Sequence, residues 1–256
     1  MKAAPGLSPD GHTITLPAAR GRMRVHWRAV AQLPGDCAAR ACPVAAALTY
    51  APAVHTDATR RALEQVRDPS QFKWYAVALL AFVIYAYANE IERGRWDIVA
   101  AGLAVWLADW FNEIINALVL QASGTAPLWA TTGPTAYQFL VGLNVEISFM
   151  FALAGIVYAK LLRAIPSRLV LALGLSIVSV AVELFLHASG TFHWHYWWWN
   201  VASFPVIVVF GYLWFYLFAA WVYDAPSPRK RWTRVGGLAI IDVLMAVVFG
   251  VSFGWL

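Results

Sequence analysis

The sequence predicts an all-α, polytopic membrane helix bundle with about six transmembrane helices. Three observations lead there. Of 256 residues, 61% are hydrophobic and only 13% are charged, where soluble chains carry roughly a quarter charged. Mean hydropathy is +0.59. From Lys73 onward, apolar runs of spanning length alternate with short charged or turn-rich breaks.

A hydrocarbon core ~30 Å thick takes about 17–25 helical residues. The runs cover 73–89, 97–121, 134–160, 167–188, 200–223 and 235 to the C-terminus. Pro134, Pro166, Pro226 and Pro228 fall at their ends, whereas Pro205 lies inside the fifth, where a kink is expected.

Residues 1–72 differ: basic residues outnumber acids, apolar clusters are short, and Pro and Ala recur. They read as a flexible polar leader, or as an over-extended translation start with Met23 as one alternative. They do not follow the signal-peptide order of basic, apolar and small-residue regions. Thr56 to Arg67 is expected to form a short amphipathic helix on the membrane surface, capped by Thr56 or Asp57. Cys37 and Cys42, with His26 and His55 nearby, lack a standard zinc spacing and read as ordinary thiols.

The net charge of +5 does not imply a nucleic-acid partner, because the bases sit beside the ends of apolar runs. Arg93 and Arg95 fill the first connection; Lys160, Arg163 and Arg168 bracket the third; Arg229, Lys230, Arg231 and Arg234 fill the fifth. The second and fourth connections hold no Lys or Arg. Odd connections are therefore expected in the cytoplasm and even ones outside, in a bacterial inner membrane. Arg60, Arg61, Arg67 and Lys73 conflict with this, so either the first span is misplaced or the leader is exported.

The chemistry lies in the acids. Between Arg95 and Lys160, and between Arg168 and Arg229, no Lys or Arg occurs, yet Asp109, Glu113, Glu146 and Glu183 do. An ionised acid at the bilayer centre costs at least ~2.5–3.5 kcal/mol. Four without a basic partner cannot all be lone anions; they are protonated, cation-bound or open to water. At 100° per residue, Gly102, Trp106, Asp109, Asn112, Glu113 and Asn116 share one stripe of the second span. Ser176, Ser179, Glu183 and His187 line one face of the fourth. In the third, Gln138, Gly142 and Glu146 share a face, with Asn144 and Ser148 nearer the other side. Polar residues can simply glue helices together; Asn and Ser fit that reading, and four carboxylates do not. At 1.5 Å per residue, Asp109 and Glu113 lie about 18 and 24 Å from the cytoplasmic end, so the polar groups converge on the outer half. Asp242 is expected to pair with Arg234 or water, and Glu90, Glu92 and Asp97 read as solvated charge.

The fourth connection, Phe192-His193-Trp194-His195-Tyr196-Trp197-Trp198-Trp199-Asn200, is either an interfacial aromatic belt or a lid whose ring faces could stabilise a cation. The expected catalytic groups are Glu113, Asp109, Glu146 and Glu183. Asn112, Asn116, Trp106, Asn144, His187, Trp194 and Trp198 are expected to bind substrate, and no metal or cofactor is expected.

Acid-catalysed conversion of an apolar lipid or isoprenoid, of cyclase or isomerase type, fits uncompensated acids beside many tryptophans. Asp109-Trp110-Phe111-Asn112-Glu113-Ile114 resembles the Asn/Trp/Glu segment in the second span of the small integral-membrane terpene cyclases of meroterpenoid pathways. The resemblance covers one span plus size and helical character, and departs in spacing, span count and the later acidic position. It implies Glu113 as a proton donor. Two alternatives stand beside it: a proton- or cation-coupled transporter, and a metal-dependent lipid hydrolase using Glu183, His187, His193 and His195. No spanning Lys suits a retinal Schiff base, since Lys160 lies at a span end.

Overall fold

A computed structural model describes residues 55–256; Met23, His26, Cys37 and Cys42 lie outside them. Six helices are long and apolar enough to cross a membrane: α2 (Tyr75–Glu92), α3 (Trp96–Ser123), α4 (Val145–Ala164), α5 (Arg168–Ala188), α6 (Val201–Tyr223) and α7 (Pro228–Ser252). They are preceded by α1 (Asp57–Gln65), capped by the Thr56 side chain on the Thr59 N–H.

α3 is the central helix: 61% of its most apolar window is buried, against 17% for α2 and for α7. The cause is its run of small residues. Ala100, Ala101, Ala104 and Ala108 are fully buried, and small side chains let backbones approach where lipid offers no hydrophobic drive between helices. The closest approach is at Gly102, where a Cβ on Gly155 of α4 would stand 2.5 Å from the Gly102 carbonyl oxygen.

The charged end matches the odd connections. Glu90 is fully buried and takes Lys160 at 2.7 Å and Arg95 at 3.3 Å, so it is an ion-paired staple between α2 and α4 rather than solvated charge. Arg163 pairs with Asp97 and Arg168 with Asp224. Arg234 stacks on the Trp221 ring and donates to its carbonyl. It leaves Asp242 buried, with both carboxylate oxygens unpartnered among the described residues, in place of the expected Asp242–Arg234 pair.

At the other end the second and fourth connections are joined. β1 (Trp129–Thr131) pairs antiparallel with β2 (Phe192–Trp194), setting Trp129 opposite Trp194. α1 packs at this same end: the Arg67 N–H donates to the Gln138 carbonyl, and Thr56 contacts His195. Arg60, Arg61 and Arg67 therefore sit at the end of the even connections, and their conflict with the charge pattern of the other connections persists. The first span is in place, and α1 lies with the even connections.

The third span begins at Val145, not at residue 134. Asn144 caps it, its Oδ1 accepting the Ile147 N–H at 2.9 Å. Residues 134–144 form a folded loop organised by the Gln138 amide, which donates to carbonyls of Thr131, Leu140 and Val141. Gln138 and Gly142 therefore do not share a helical face with Glu146. In α6, Pro205 sits near the start, and the kink expected there is replaced by a π-helical stretch, Ile207–Leu213.

Candidate functional site

α3, α4, α5 and α6 surround one cavity of about 210 Å³. Asp109, Asn112 and Glu113 line it from α3 and Glu183 from α5. The remaining wall is apolar and aromatic, including Phe151, Phe215 and Tyr216, and no lining residue is Lys or Arg. The α3 stripe puts Asp109 and Glu113 one turn apart, where side chains four residues apart meet.

Each carboxylate leaves one oxygen free. Glu113 Oε1 accepts the Trp129 indole N–H at 2.9 Å, while Oε2 is buried without a partner. Glu183 Oε1 accepts the Tyr212 hydroxyl, and its Oε2 is again unpartnered. Asp109 Oδ2 is buried and unpartnered as well. Buried polar atoms without partners are rare in folded proteins because each carries its full desolvation cost, about 1–3 kcal/mol and more when charged. Three around one cavity mark a place built for chemistry or for a ligand.

The supports come from α3 itself, from the connections and from α6. Asn116, fully buried, brackets the Trp129 backbone: Nδ2 donates to its carbonyl at 2.9 Å and Oδ1 accepts its N–H at 3.1 Å. That pair delivers the Trp129 indole to Glu113. Gly142 touches the same group: a Cβ there would lie 2.5 Å from Glu113 Oε2, Asn116 Nδ2 and Trp129 Nε1 alike, so only glycine fits. Trp129 stacks on Trp199 with ring centroids 5.7 Å apart, and the two close the outer end. On α6, the π-helical stretch exposes the Gly211 carbonyl to the Asn112 amide at 3.0 Å. Such stretches concentrate at functional sites because they release backbone groups from the helical ladder.

Several expected site residues lie elsewhere. Glu146 is not in this cavity. It is held by the Tyr75 hydroxyl, by Thr135 Oγ1 at 2.6 Å and by the Ala136 N–H at 2.7 Å, since the late start of α4 puts it in the first turn. Asn144 is the helix cap. Trp106 donates to Ser148 at 2.9 Å and acts as α3–α4 glue. His187 Nδ1–H donates to the Phe192 carbonyl at 3.1 Å, and the ring stacks on Trp194. Trp198 is 40% exposed and Trp197 85%, whereas Trp194 and Trp199 are buried. The fourth connection is thus belt at Trp197 and Trp198 and lid at Trp199. Among the described residues, no three His, Cys, Asp or Glu side chains gather as metal ligands.

Trp129, Trp199 and Tyr212 were not anticipated. Trp129 lies in a short connection without periodicity. Tyr212 is one hydroxyl in an apolar span, and its only signal is the match in depth to Glu183.

Residues 56–251 match a family described as an uncharacterized membrane protein family. An uncharacterized protein of Archaeoglobus fulgidus is 43% identical over 209 residues, which cover 78% of this chain and 99% of that protein. A second uncharacterized protein of the same organism is 40% identical over 53 residues, 20% of this chain and 95% of its own length. No solved structure matches the chain. Both relatives are archaeal and lend nothing to the bacterial inner membrane expected above. The family match spans all six long helices up to Val251 and every residue lining the cavity, and on it the chain belongs to that family of multi-pass integral membrane proteins.

Proposed function

We propose that this protein is a membrane enzyme that converts an apolar lipid or isoprenoid by acid catalysis, of isomerase or cyclase type. The observation that carries the reading is three carboxyl groups, Asp109, Glu113 and Glu183, each with a buried oxygen that has no partner, gathered around one largely apolar cavity lined by no Lys or Arg. A carboxyl that keeps its proton in such surroundings can donate it to a carbon–carbon double bond. The Glu113 O–H bond breaks, a C–H bond forms, and a carbocation results. The Trp129–Glu113 hydrogen bond stabilises the carboxylate left behind, and the faces of Phe151, Phe215 and Tyr216 lie around the cation. Loss of a proton from the cation to Glu183 gives the rearranged alkene; Glu183 then releases that proton to water and Glu113 takes one up from water, which closes the cycle with no net change. Asp109, one turn from Glu113, orients and polarises the donor.

The resemblance of the Asp109–Ile114 segment to the membrane terpene cyclases supports an acid start at Glu113. The wall of the cavity favours a hydrocarbon occupant over a hydrated ion, which places the enzyme reading ahead of a coupled transporter. The membrane is proposed to be a cytoplasmic one, with odd connections inside.

The test is the lipid that co-purifies with the protein, identified by mass spectrometry and returned to proteoliposomes. Wild type is expected to convert it. Glu113→Gln, which keeps the shape and removes the transferable proton, is expected to bind it without turnover. If neither protein converts any lipid, and wild-type vesicles instead show a proton- or sodium-coupled flux lost in the variant, the protein is a transporter.

A further inference from the structure

The carboxylate cavity is not closed on its lipid side. Met150 of α4 and Val178 and Val182 of α5 line it and are also 39%, 56% and 38% exposed on the outside of the bundle. A side chain that is both wall and surface marks an opening, and here the surface faces hydrocarbon. A second hollow, of about 320 Å³, continues along the same seam toward the outer end and shares Ile147, Met150, Val182, Leu186 and Phe192 with the first. Its far lip is polar: Thr131, Asn144, Glu146 and Thr191. Glu146 and the hydroxyl of Thr191 are engaged within the protein. The Asn144 carbonyl oxygen caps α4, which leaves the amide N–H₂ as the donor available at the lip.

We infer that the α4–α5 seam is a lateral portal whose occupant is a single-chain amphiphile with a small, uncharged polar head. The head rests on the outer lip by the Asn144 amide, and the chain passes between Met150 and Val182 with its far end against Asp109, Glu113 and Glu183. This rests on the proposed lipid-converting reading and narrows its substrate class. Three properties of the seam select the occupant. Entry from hydrocarbon requires a long apolar chain. The lip presents one available amide donor beside hydroxyls already engaged within the protein, and no Lys or Arg, which suits an alcohol or carbonyl head and not a phosphate. A gap between two helices admits one chain, whereas a two-chain phospholipid is wider than the helix spacing of ~8–10 Å leaves open.

The probe is geranylgeraniol bearing a diazirine at its far end, photolysed with the full-length protein in nanodiscs, with labelled peptides mapped by mass spectrometry. Labelling is expected on the cavity wall around Phe151 and Leu175. Unlabelled geranylgeraniol is expected to suppress it, and the C20 hydrocarbon lacking the hydroxyl to compete roughly tenfold less well. Met150→Trp with Val182→Trp, which fills the seam, is expected to abolish it, while Val170→Trp, on the outer surface of α5 and off the seam, leaves it unchanged. Equal competition by the hydrocarbon overturns the polar-head assignment without needing any variant to fold. Labels spread over all lipid-facing helices and untouched by the seam variants overturn the portal. The labelling reads binding alone, so the chemistry is judged separately. Intact labelling with no lipid ever converted keeps the portal and removes the enzyme, and turnover that survives the filled seam keeps the enzyme and removes the portal.

Discussion

The indole N–H of Trp129 donates to Oε1 of Glu113 at 2.9 Å, across a gap of 16 residues and from a loop into a spanning helix. A hydrogen bond of this kind contributes about 0.5–1.5 kcal/mol net, and about 1.5–3 kcal/mol once the carboxyl has given up its proton. Here it also settles which oxygen is engaged: Oε1 is taken, and Oε2 lies buried without a partner beside Gly142. The geometry ties the outer cap to the chemistry, because Trp129 is itself held by Asn116 and stacked on Trp199.

That tie passes beside Gly142. Gly142→Ala places a methyl group 2.5 Å from three polar atoms of the network, and overpacking of this kind costs about 1–3 kcal/mol. Thermal unfolding in detergent is expected to show the loss, together with weakened lipid binding. Gly174→Ala in α5, where nothing lies within 4 Å of the new methyl, is expected to be neutral or slightly stabilising. Equal effects at the two positions would count against the network.

Two glutamates with similar sequence surroundings are expected to fail differently. Glu146→Gln turns one of the two oxygens that together accept from Tyr75, Thr135 and the Ala136 N–H into an amide donor facing a donor, at a cost of about 1–3 kcal/mol in stability, with turnover per folded molecule preserved. Glu183→Gln keeps an acceptor for Tyr212 and removes the acid–base group, so stability is nearly kept and turnover falls. Measuring melting and turnover on the same two preparations separates the roles; a reversed pattern would return Glu146 to the site.

Outside the spans, His195 ties α1 to the outer loops. Burial, with a smaller contribution from neighbouring His193, pushes its imidazole down from 6.5 to about 4. The unfolded chain therefore takes up a proton that the folded one refuses. Stability is full above about pH 6.5, declines as pH falls toward about 4, and levels off below. Melting temperature measured across that window is expected to drop, and His195→Gln to flatten the slope. A wild-type profile with no slope there would contradict the burial of this ring in solution.

The central stripe of the site was readable because helical periodicity is strict: Asp109, Asn112 and Glu113 fall on one face of α3 and line one cavity, and Glu183 meets them from α5. The α4 boundary is hidden in the sequence because residues 134–144 carry no charge and include the run Phe139–Leu143, which leads straight into the helix. What ends the helix is a local signal, the Asn144 side chain on the Ile147 N–H, and hydropathy does not register a cap. Trp129 and Trp199 escaped for a different reason. Their positions follow from the pairing of β1 with β2, a contact between connections more than 60 residues apart, and no spacing within either connection encodes it. The π-helical stretch at Ile207–Leu213 likewise has no compositional mark beyond Pro205 and Gly211.

Proton transfer from Glu113 to carbon is the centre of this account, and deuterium reads it directly. Wild-type proteoliposomes in D₂O, supplied with the co-purified lipid, are expected to return product carrying one carbon-bound deuterium per turnover. Glu113→Gln, folded and still binding the lipid, is expected to return none, and Asp109→Asn to return labelled product more slowly. Product formed at the wild-type rate without carbon-bound deuterium, or labelled product from Glu113→Gln, would contradict it.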